Sequence, residues 1–155
     1  GMPGRFSIRF FLAAGAFCFC FWVGDLLRIT GNRKTEQKYL RNVTLLYEGQ
    51  KIKTRGLIDT GNHLTAPASG IPVHVATAEL MKRLCPVVKG VMYVPYRCVG
   101  SSGILPAVRI DEMKVEGEKD SFVIPKPWIA ITKGSLSPCD EYEVLIQKND
   151  EGMQV

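Results

Sequence analysis

The sequence predicts a mostly β domain, arranged as a barrel or sandwich, with one short helix. The 15 Gly and 9 Pro among 155 residues are typical of a chain with many turns between short strands. About eight short stretches have the apolar pattern of strands, and turn residues separate them. The shares of 46% hydrophobic and 23% charged residues exclude a disordered chain, and the length suffices for one compact domain.

Each element follows from a local pattern. Two apolar runs flank Glu48-Gly49-Gln50, which predicts a hairpin. Thr77 can cap a helix that runs to Leu84, and Pro86 ends it soon afterwards. The eight predicted strands span residues 43–47, 52–58, 73–75, 91–99, 104–110, 113–115, 122–124 and 128–132, and residues 144–146 are a candidate for a last strand.

An uncharged, Phe-rich run occupies residues 10–24, and it predicts an apolar N-terminal helix. As a helix this run covers about 22 Å, which is short of the roughly 30 Å hydrocarbon core, so flanking apolar residues would have to contribute to a span. A membrane helix, or the remnant of one, is the favoured interpretation. A buried or membrane-surface helix and a signal peptide both stay open.

Charge predicts the orientation of such a span. Two Arg precede the run, whereas five basic residues follow it by residue 41, and positive residues favour the cytoplasmic side. The cysteines of the polar part are odd in number and lack CxxC spacing, which is typical of reduced cytoplasmic thiols. The predicted organisation is a membrane anchor over residues 1–30, a linker over 31–41, a β domain over 42–148 and a polar tail over 149–155.

The net charge of +5 is dispersed along the chain, so no nucleic-acid partner is predicted. Two His and scattered Cys form no pattern of metal ligands. We therefore expect neither a metal nor a cofactor.

The segment Leu57-Ile58-Asp59-Thr60-Gly61-Asn62 carries the chemistry. Two apolar residues end a strand, after which Asp59 projects into a cleft, Thr60 bonds to neighbouring backbone, and Gly61 lets an amide approach the carboxylate. Aspartic peptidases use this arrangement, in which two carboxylates share one proton and activate a water molecule. The tripeptide Asp-Thr-Gly alone is equally compatible with a turn that ends a strand.

Three longer stretches of the chain carry further motifs. They are Gly56 to Leu64, followed by Pro67, Gly70 and Pro72-Val73; Val94-Pro95-Tyr96-Arg97, with Gly100 and Gly103 to Ala107; and Lys133 to Ser137. Together these motifs resemble the sporulation sigma-E factor processing peptidases. The resemblance covers about residues 42–147, and the motifs occur in the same order.

The resemblance implies a retropepsin-like protomer, a closed, barrel-like β fold, behind membrane helices of which the apolar run is the last. It implies an aspartic endopeptidase that removes the pro-sequence of a sigma-E precursor in the mother cell of a sporulating bacterium. The peptidase domain would face the cytoplasm, the N-terminal segment would contact membrane lipid, and a sporulation signalling protein from the forespore would be the activator.

Two departures from the retropepsin pattern stand out. Retropepsins carry a second apolar-apolar-Gly element that closes the active-site loop, and Trp128-Ile129-Ala130 is the predicted equivalent, with Ala in place of Gly. The sequence also contains one Asp-Thr-Gly, so a pair of Asp59 carboxylates requires a homodimer. The rival interpretation is a membrane-tethered binding module that keeps the fold without a working site. An aspartyl-phosphate enzyme is disfavoured, because the motif lacks the Lys of an Asp-Lys-Thr-Gly loop.

Other candidate residues have weaker support. Thr60, Gly61 and Asn62 are predicted to support the loop of Asp59, and for Asn62 a substrate contact stays equally open. Arg97 is either a charge on a strand face or a substrate contact. Gly100 and Gly103 are predicted to belong to a mobile turn or flap. Two histidines, His63 and His74, are predicted to be surface or packing residues.

Overall fold

The computed structural model describes residues 39–148 and 150. The predicted N-terminal helix, nearly all of the predicted linker and most of the polar tail lie outside these residues. The described part is mostly β with one short helix, as predicted. Its elements are β1 (Leu40–Tyr47), β2 (Gln50–Asp59), β3 (Val73–Thr77), α1 (Ala78–Leu84), β4 (Met92–Cys98), β5 (Ser101–Arg109), β6 (Glu112–Glu116), β7 (Ser121–Pro125), β8 (Trp128–Thr132) and β9 (Val144–Gln147).

The start of β1 differs from the predicted linker boundary. Leu40 and Arg41 pair with Leu57 and Gly56 of β2, so the strand begins inside the stretch assigned to the linker. The compact unit that contains the described residues begins at Tyr39. Across residues 39–148 and 150, no helix has both the length and the apolar character needed to cross a membrane.

The nine strands form one mixed sheet in the order β4-β5-β8-β3-β9-β2-β1-β6-β7. The predicted closed, barrel-like form is wrong, because β4 and β7 end this order and each pairs on one side only. Pro95 lies within β4 and Pro125 ends β7. Since proline has no N–H to donate across a ladder, such strands suit the edges of an open sheet.

The last strand of the described chain, β9, lies in the middle of the sheet. It runs parallel to β2, with Asp59 opposite Gln147, and antiparallel to β3, with Val75 opposite Leu145. The connection from β2 to β3, residues 60–72, therefore passes over the carboxyl end of β9.

Two apolar cores lie on opposite faces of the strands, as the alternation of strand side chains requires. The larger core collects α1 and one face of the central strands, and a smaller one collects the other face. The members of the smaller core are Ala66, Val73, Val75, Val94, Ala107 and Ala130. Leu64, Leu105 and Leu145 pack against it, so the segment after Asp59, the β4–β5 hairpin and β9 share this core.

The helix α1 covers the larger core as its sequence predicts. Thr77 is its N-cap, and the Thr77 hydroxyl accepts a hydrogen bond from the Leu80 amide at 3.3 Å. Leu80, Met81 and Leu84 are its buried residues. These side chains recur at the spacing of one helix face, so the helix is amphipathic and packs by that face.

One carboxylate ties three elements together just before β9. Glu143 accepts a hydrogen bond from the Thr54 hydroxyl of β2 at 2.6 Å and from the Arg83 guanidinium of α1 at 2.7 Å. The Glu143 amide also donates to the Arg55 carbonyl at 3.0 Å. These bonds hold the start of β9 against β2 and so help to set the register between the two strands.

Candidate active site

Asp59 is the last residue of β2, and its side chain is half-buried. The Gly61 amide donates a hydrogen bond to Asp59 Oδ1 at 2.9 Å. Thr60 and Gly61 follow in an exposed turn. The approach of a backbone amide to the carboxylate is the geometry that the sequence predicts. A Cβ on Gly61 would lie 3.4 Å from Asp59 Oδ1, which is an ordinary contact, so the single chain imposes no steric need for glycine there.

Asn62 anchors the loop rather than facing solvent. Its side chain is buried, and its Nδ2 donates to the Val73 carbonyl at 3.2 Å. Its Oδ1 accepts from the Leu64 amide at 2.9 Å, which is the hydrogen bond of an Asx turn. The Asn62 side chain therefore joins Leu64 of the loop to Val73 at the start of β3, and so supports the loop structurally.

Two further candidates are Gln147, which sequence reasoning missed, and His74, which was predicted to be a surface or packing residue and is buried. Gln147 ends β9 and is 1% exposed, and His74 of β3 is fully buried. Gln147 Nε2 donates to the carbonyls of Leu64 and Val73, at 2.8 and 3.1 Å. The backbone amide of Gln147 donates to His74 Nδ1 at 2.9 Å. A polar residue at the end of a four-residue strand gives no distinctive signal in a single sequence, which is why the pattern did not point to this site.

The predicted loop-closing element, Trp128-Ile129-Ala130, lies elsewhere. It is part of β8, which pairs with β3 and β5, so β3 and β9 separate it from β2. The segment beside Asp59 is Leu145-Ile146-Gln147 of β9. Its third residue is Gln, so a search for two apolar residues followed by a small one passes over it.

The three candidate flap residues belong to the β4–β5 hairpin. Arg97 is an exposed residue of β4, opposite Ser102. Gly100 lies in the turn between the strands with φ +83°, a conformation that favours glycine. Gly103 lies within β5, opposite Tyr96, whose ring atoms would stand only 2.8 to 3.0 Å from a Cβ on Gly103. Glycine therefore lets the Tyr96 ring lie directly against the hairpin backbone.

The hairpin and the segment that follows Asp59 meet through the smaller core. Val94 of β4 and Leu105 of β5 pack in the same cluster as Leu64 and Ala66, which follow the Asp59 turn. The segment that follows Asp59 and the β4–β5 hairpin, in which the flap residues were predicted, therefore pack against each other at this core. Arg97 and Gly100, at the far end of the hairpin, are not among the residues of this core.

One carboxylate on an ordered loop can bind and polarise a water molecule. General acid–base work on a peptide bond needs a second group to carry the proton, and in aspartic chemistry that group is another carboxylate. No other group in the described chain hydrogen-bonds to the Asp59 carboxylate besides the Gly61 amide. A single chain therefore presents one of the two carboxylates that this chemistry requires.

A separate cleft of about 960 Å³ lies near the same loop. Its lining includes His63, Gln147 and the basic residues Arg109 and Lys126, but not Asp59. His63 is exposed, as predicted. Across residues 39–148 and 150, no group of three or more His, Cys, Asp or Glu side chains is placed to hold a metal ion.

Comparisons with known proteins agree with the family resemblance found in the sequence. Residues 4–149 match the model of the Peptidase_U4 family, sporulation factor SpoIIGA. The chain is 26% identical over 132 residues to the sporulation sigma-E factor-processing peptidase of Priestia megaterium. This match covers 69% of this chain and 42% of that protein. It is 24% identical over 150 residues to the probable sporulation sigma-E factor-processing peptidase of Clostridium acetobutylicum, which is 94% of this chain and 54% of that protein. The chain thus spans about half the length of these curated relatives. No solved structure matches the chain.

Proposed function

Because residues 4–149 match its family model, the chain belongs to the sporulation factor SpoIIGA family, and we propose that its β domain is an aspartic endopeptidase. Its substrate is the precursor of a sporulation sigma factor, from which it removes the pro-sequence. The names of the two relatives support the substrate class. The aspartic mechanism rests on the residues of this chain.

The observation that carries the mechanism is the placement of Asp59. The carboxylate ends a central strand, is half-buried, and accepts a hydrogen bond from the Gly61 amide at 2.9 Å. This hydrogen bond favours one orientation of the carboxylate, which suits a group that must bind water and take up a proton. Asn62 supports the loop through its two hydrogen bonds, and in this proposal Thr60 is a further loop residue.

Each chain supplies one Asp59, so the active form in this proposal is a homodimer. Two loops related by a two-fold axis would bring their carboxylates together, and one proton would be shared between them. The arrangement is that of a retropepsin, in which each protomer contributes half of the site. The β4–β5 hairpin would then cover the substrate, with Arg97, Gly100 and Gly103 as its flap residues.

The cellular setting of this proposal is the mother cell of a sporulating bacterium. The apolar N-terminal segment would attach the protein to the cell membrane and contact its lipid, with the peptidase domain on the cytoplasmic side. The supporting observation is the excess of basic residues between that segment and the β domain. A sporulation signalling protein would act as the activator.

The test is co-expression of the 155-residue chain with a sigma-E precursor, followed by measurement of the mass of the product. We expect one specific cleavage by the wild type and none by Asp59→Asn, because an amide cannot share a proton as a carboxylate does. The matched control is Asp120→Asn, an exposed acid in the β6–β7 turn, which should cleave like the wild type. Cleavage that persists in Asp59→Asn would refute the aspartic mechanism.

Mixing experiments test the dimer. Adding a threefold excess of Asp59→Asn chains should lower the activity per wild-type chain to about one quarter, because a wild-type chain then meets a wild-type partner in about one pairing of four. Chains that act alone would keep their full activity. If a purified wild-type chain binds the precursor but never cleaves it, the rival function, a membrane-tethered binding module, takes the place of the enzyme.

A further inference from the structure

The connection between β2 and β3 passes over the end of β9. The carbonyl groups of Leu64 in this connection and of Val73 at the start of β3 lie within hydrogen-bond distance of that strand end. Gln147 fills that position with a side chain that carries two N–H donors. Both Leu64 and Val73 receive a hydrogen bond from Gln147 Nε2.

A buried amide is costly unless its hydrogen bonds are made, about 1–3 kcal/mol for each group left without a partner. Here no buried side-chain nitrogen or oxygen atom of the described chain lacks a partner. The Val73 carbonyl accepts from both Asn62 and Gln147, so the two amides meet at one point under the loop. Any displacement of Gln147 therefore reaches the Asx turn that begins at Asn62.

His74 fixes the backbone of Gln147 from the other side. The Nδ1 atom of His74 accepts a hydrogen bond from the backbone amide of Gln147 at 2.9 Å. The proton of the neutral ring is therefore on Nε2, which donates to Asp150 Oδ2 at 2.9 Å. The ring is fully buried on β3, and its orientation is set by both bonds. The imidazole thus joins β3 to the end of β9, at the residue that pairs with Asp59 of β2.

We propose that Gln147, held by His74, is a positioning residue for the catalytic loop. The side-chain amide of Gln147 binds the backbone at both ends of the segment that follows Asn62, at Leu64 and at Val73. The Gln147 backbone lies opposite Asp59 in the parallel pairing of β9 with β2. The inference rests on the proposed function, because a loop that performs no chemistry needs no such positioning. It assigns to the end of β9 the loop-closing part that the sequence placed on β8.

The first test compares Gln147→Met with Gln147→Glu in the full chain. Methionine matches the length of glutamine but donates no hydrogen bond, so kcat should fall about 10- to 100-fold with little change in KM. Glutamate donates one hydrogen bond when protonated and opposes two carbonyl groups when ionised. We therefore expect Gln147→Glu to recover much of the rate on the acidic side of the pH profile, and Gln147→Met to recover it at no pH.

His74 offers a second, independent pair. In His74→Asn the asparagine side-chain oxygen can take the place of Nδ1 and accept a hydrogen bond from the backbone amide of Gln147. His74→Leu removes this acceptor. We expect His74→Asn to keep a larger share of kcat than His74→Leu. The matched control is Ile124→Val, which shortens a β7 residue in the larger core and should lower stability while leaving the pH profile unchanged.

Hydrogen exchange measures how well the backbone amides of the Asp59 loop are protected, and it needs no substrate. The amides of residues 61–64 should exchange at least about tenfold faster in Gln147→Met than in the wild type, while those of the β6–β7 hairpin keep their rates. Unchanged exchange, or a kcat and pH profile equal to those of the wild type, would overturn the positioning role and leave the proposed function standing. Loss of cleavage only through unfolding, with normal kcat per folded chain, would overturn it as well. If the wild type itself does not cleave, the proposed function fails, and the catalytic part of this inference fails with it.

Discussion

Replacing Gly56 with alanine tests how closely β2 is packed between β1 and β9. A Cβ at this buried position would stand 2.9 Å from Ile146 Cδ1 and 2.9 Å from Val43 Cγ2, with Ile146 Cγ1 at 3.3 Å. The first two distances are shorter than real Cβ contacts, so either the side chains or the strands must move. Gly56 lies three residues before Asp59, and a shift of β2 would displace the Asp59 loop as well.

The expected cost is that of overpacking a core, about 1–3 kcal/mol. Alanine restricts the unfolded chain more than glycine does, which offsets about 0.5–1 kcal/mol of this cost. Backbone strain adds nothing, because Gly56 does not have a positive φ. A net loss of about 1–2 kcal/mol corresponds to a decrease in Tm of about 4–10 °C for a domain of this size.

Thermal and urea unfolding of the two variants Gly56→Ala and Gly90→Ala measure the difference. Gly90 is the matched control, because a Cβ there meets no atom within 4 Å. Adding Ile146→Val removes Cδ1, and the double variant should be less destabilised than the sum of the single changes by more than about 0.5 kcal/mol. The packing argument fails if Gly56→Ala unfolds at the same urea concentration as Gly90→Ala.

Three further changes test other parts of the fold. Thr77→Ala should destabilise the domain by about 1 kcal/mol through loss of the N-cap of α1, and Thr77→Ser should restore most of that loss in urea unfolding. Burial raises the pKa of the Cys85 thiol above its usual value of 9.0, so the folded state favours the neutral thiol. The contribution of this thiol to the free energy of unfolding should be fully present below pH 9 and be lost as the pH rises beyond it. Iodoacetamide should label exposed Cys98 well before buried Cys85. Gly103→Ala should displace the Tyr96 ring and lower Tm, and in a Tyr96→Ala background the same change should cost markedly less; equal costs in both backgrounds would contradict the contact.

Local chemistry made much of this domain predictable. The turn at Glu48-Gly49 has φ values of 46° and 82°, which is the left-handed backbone that a two-residue hairpin needs and that glycine favours. Thr77 begins the helix where the capping pattern places it, and β8 spans residues 128–132 as predicted. In each case a few neighbouring residues determine the conformation.

The order of the strands was not predictable in the same way. Alternation of apolar residues tells which face of a strand is buried, but not which strand lies beside it. The four residues of β9 show only that Val144 and Ile146 face a core, and nothing in them indicates a place between β2 and β3. The motif made Asp59 a candidate from sequence alone. The sequence did not point to Gln147, and it gave no sign of the link between Gln147 and His74, because these hydrogen bonds join residues 73 to 83 positions apart.

The central position of β9 also has a consequence for how the chain acquires its structure. During synthesis β2 and β3 leave the ribosome long before the strand that belongs between them, and until residue 147 is available both have an unpaired edge. Contacts of such long sequence separation slow folding and prolong the exposure of those edges to aggregation. The hydrogen bonds that Gln147 donates under the Asp59 loop form only when β9 is in place, so we expect a chain that ends before residue 147 to hold this loop less firmly.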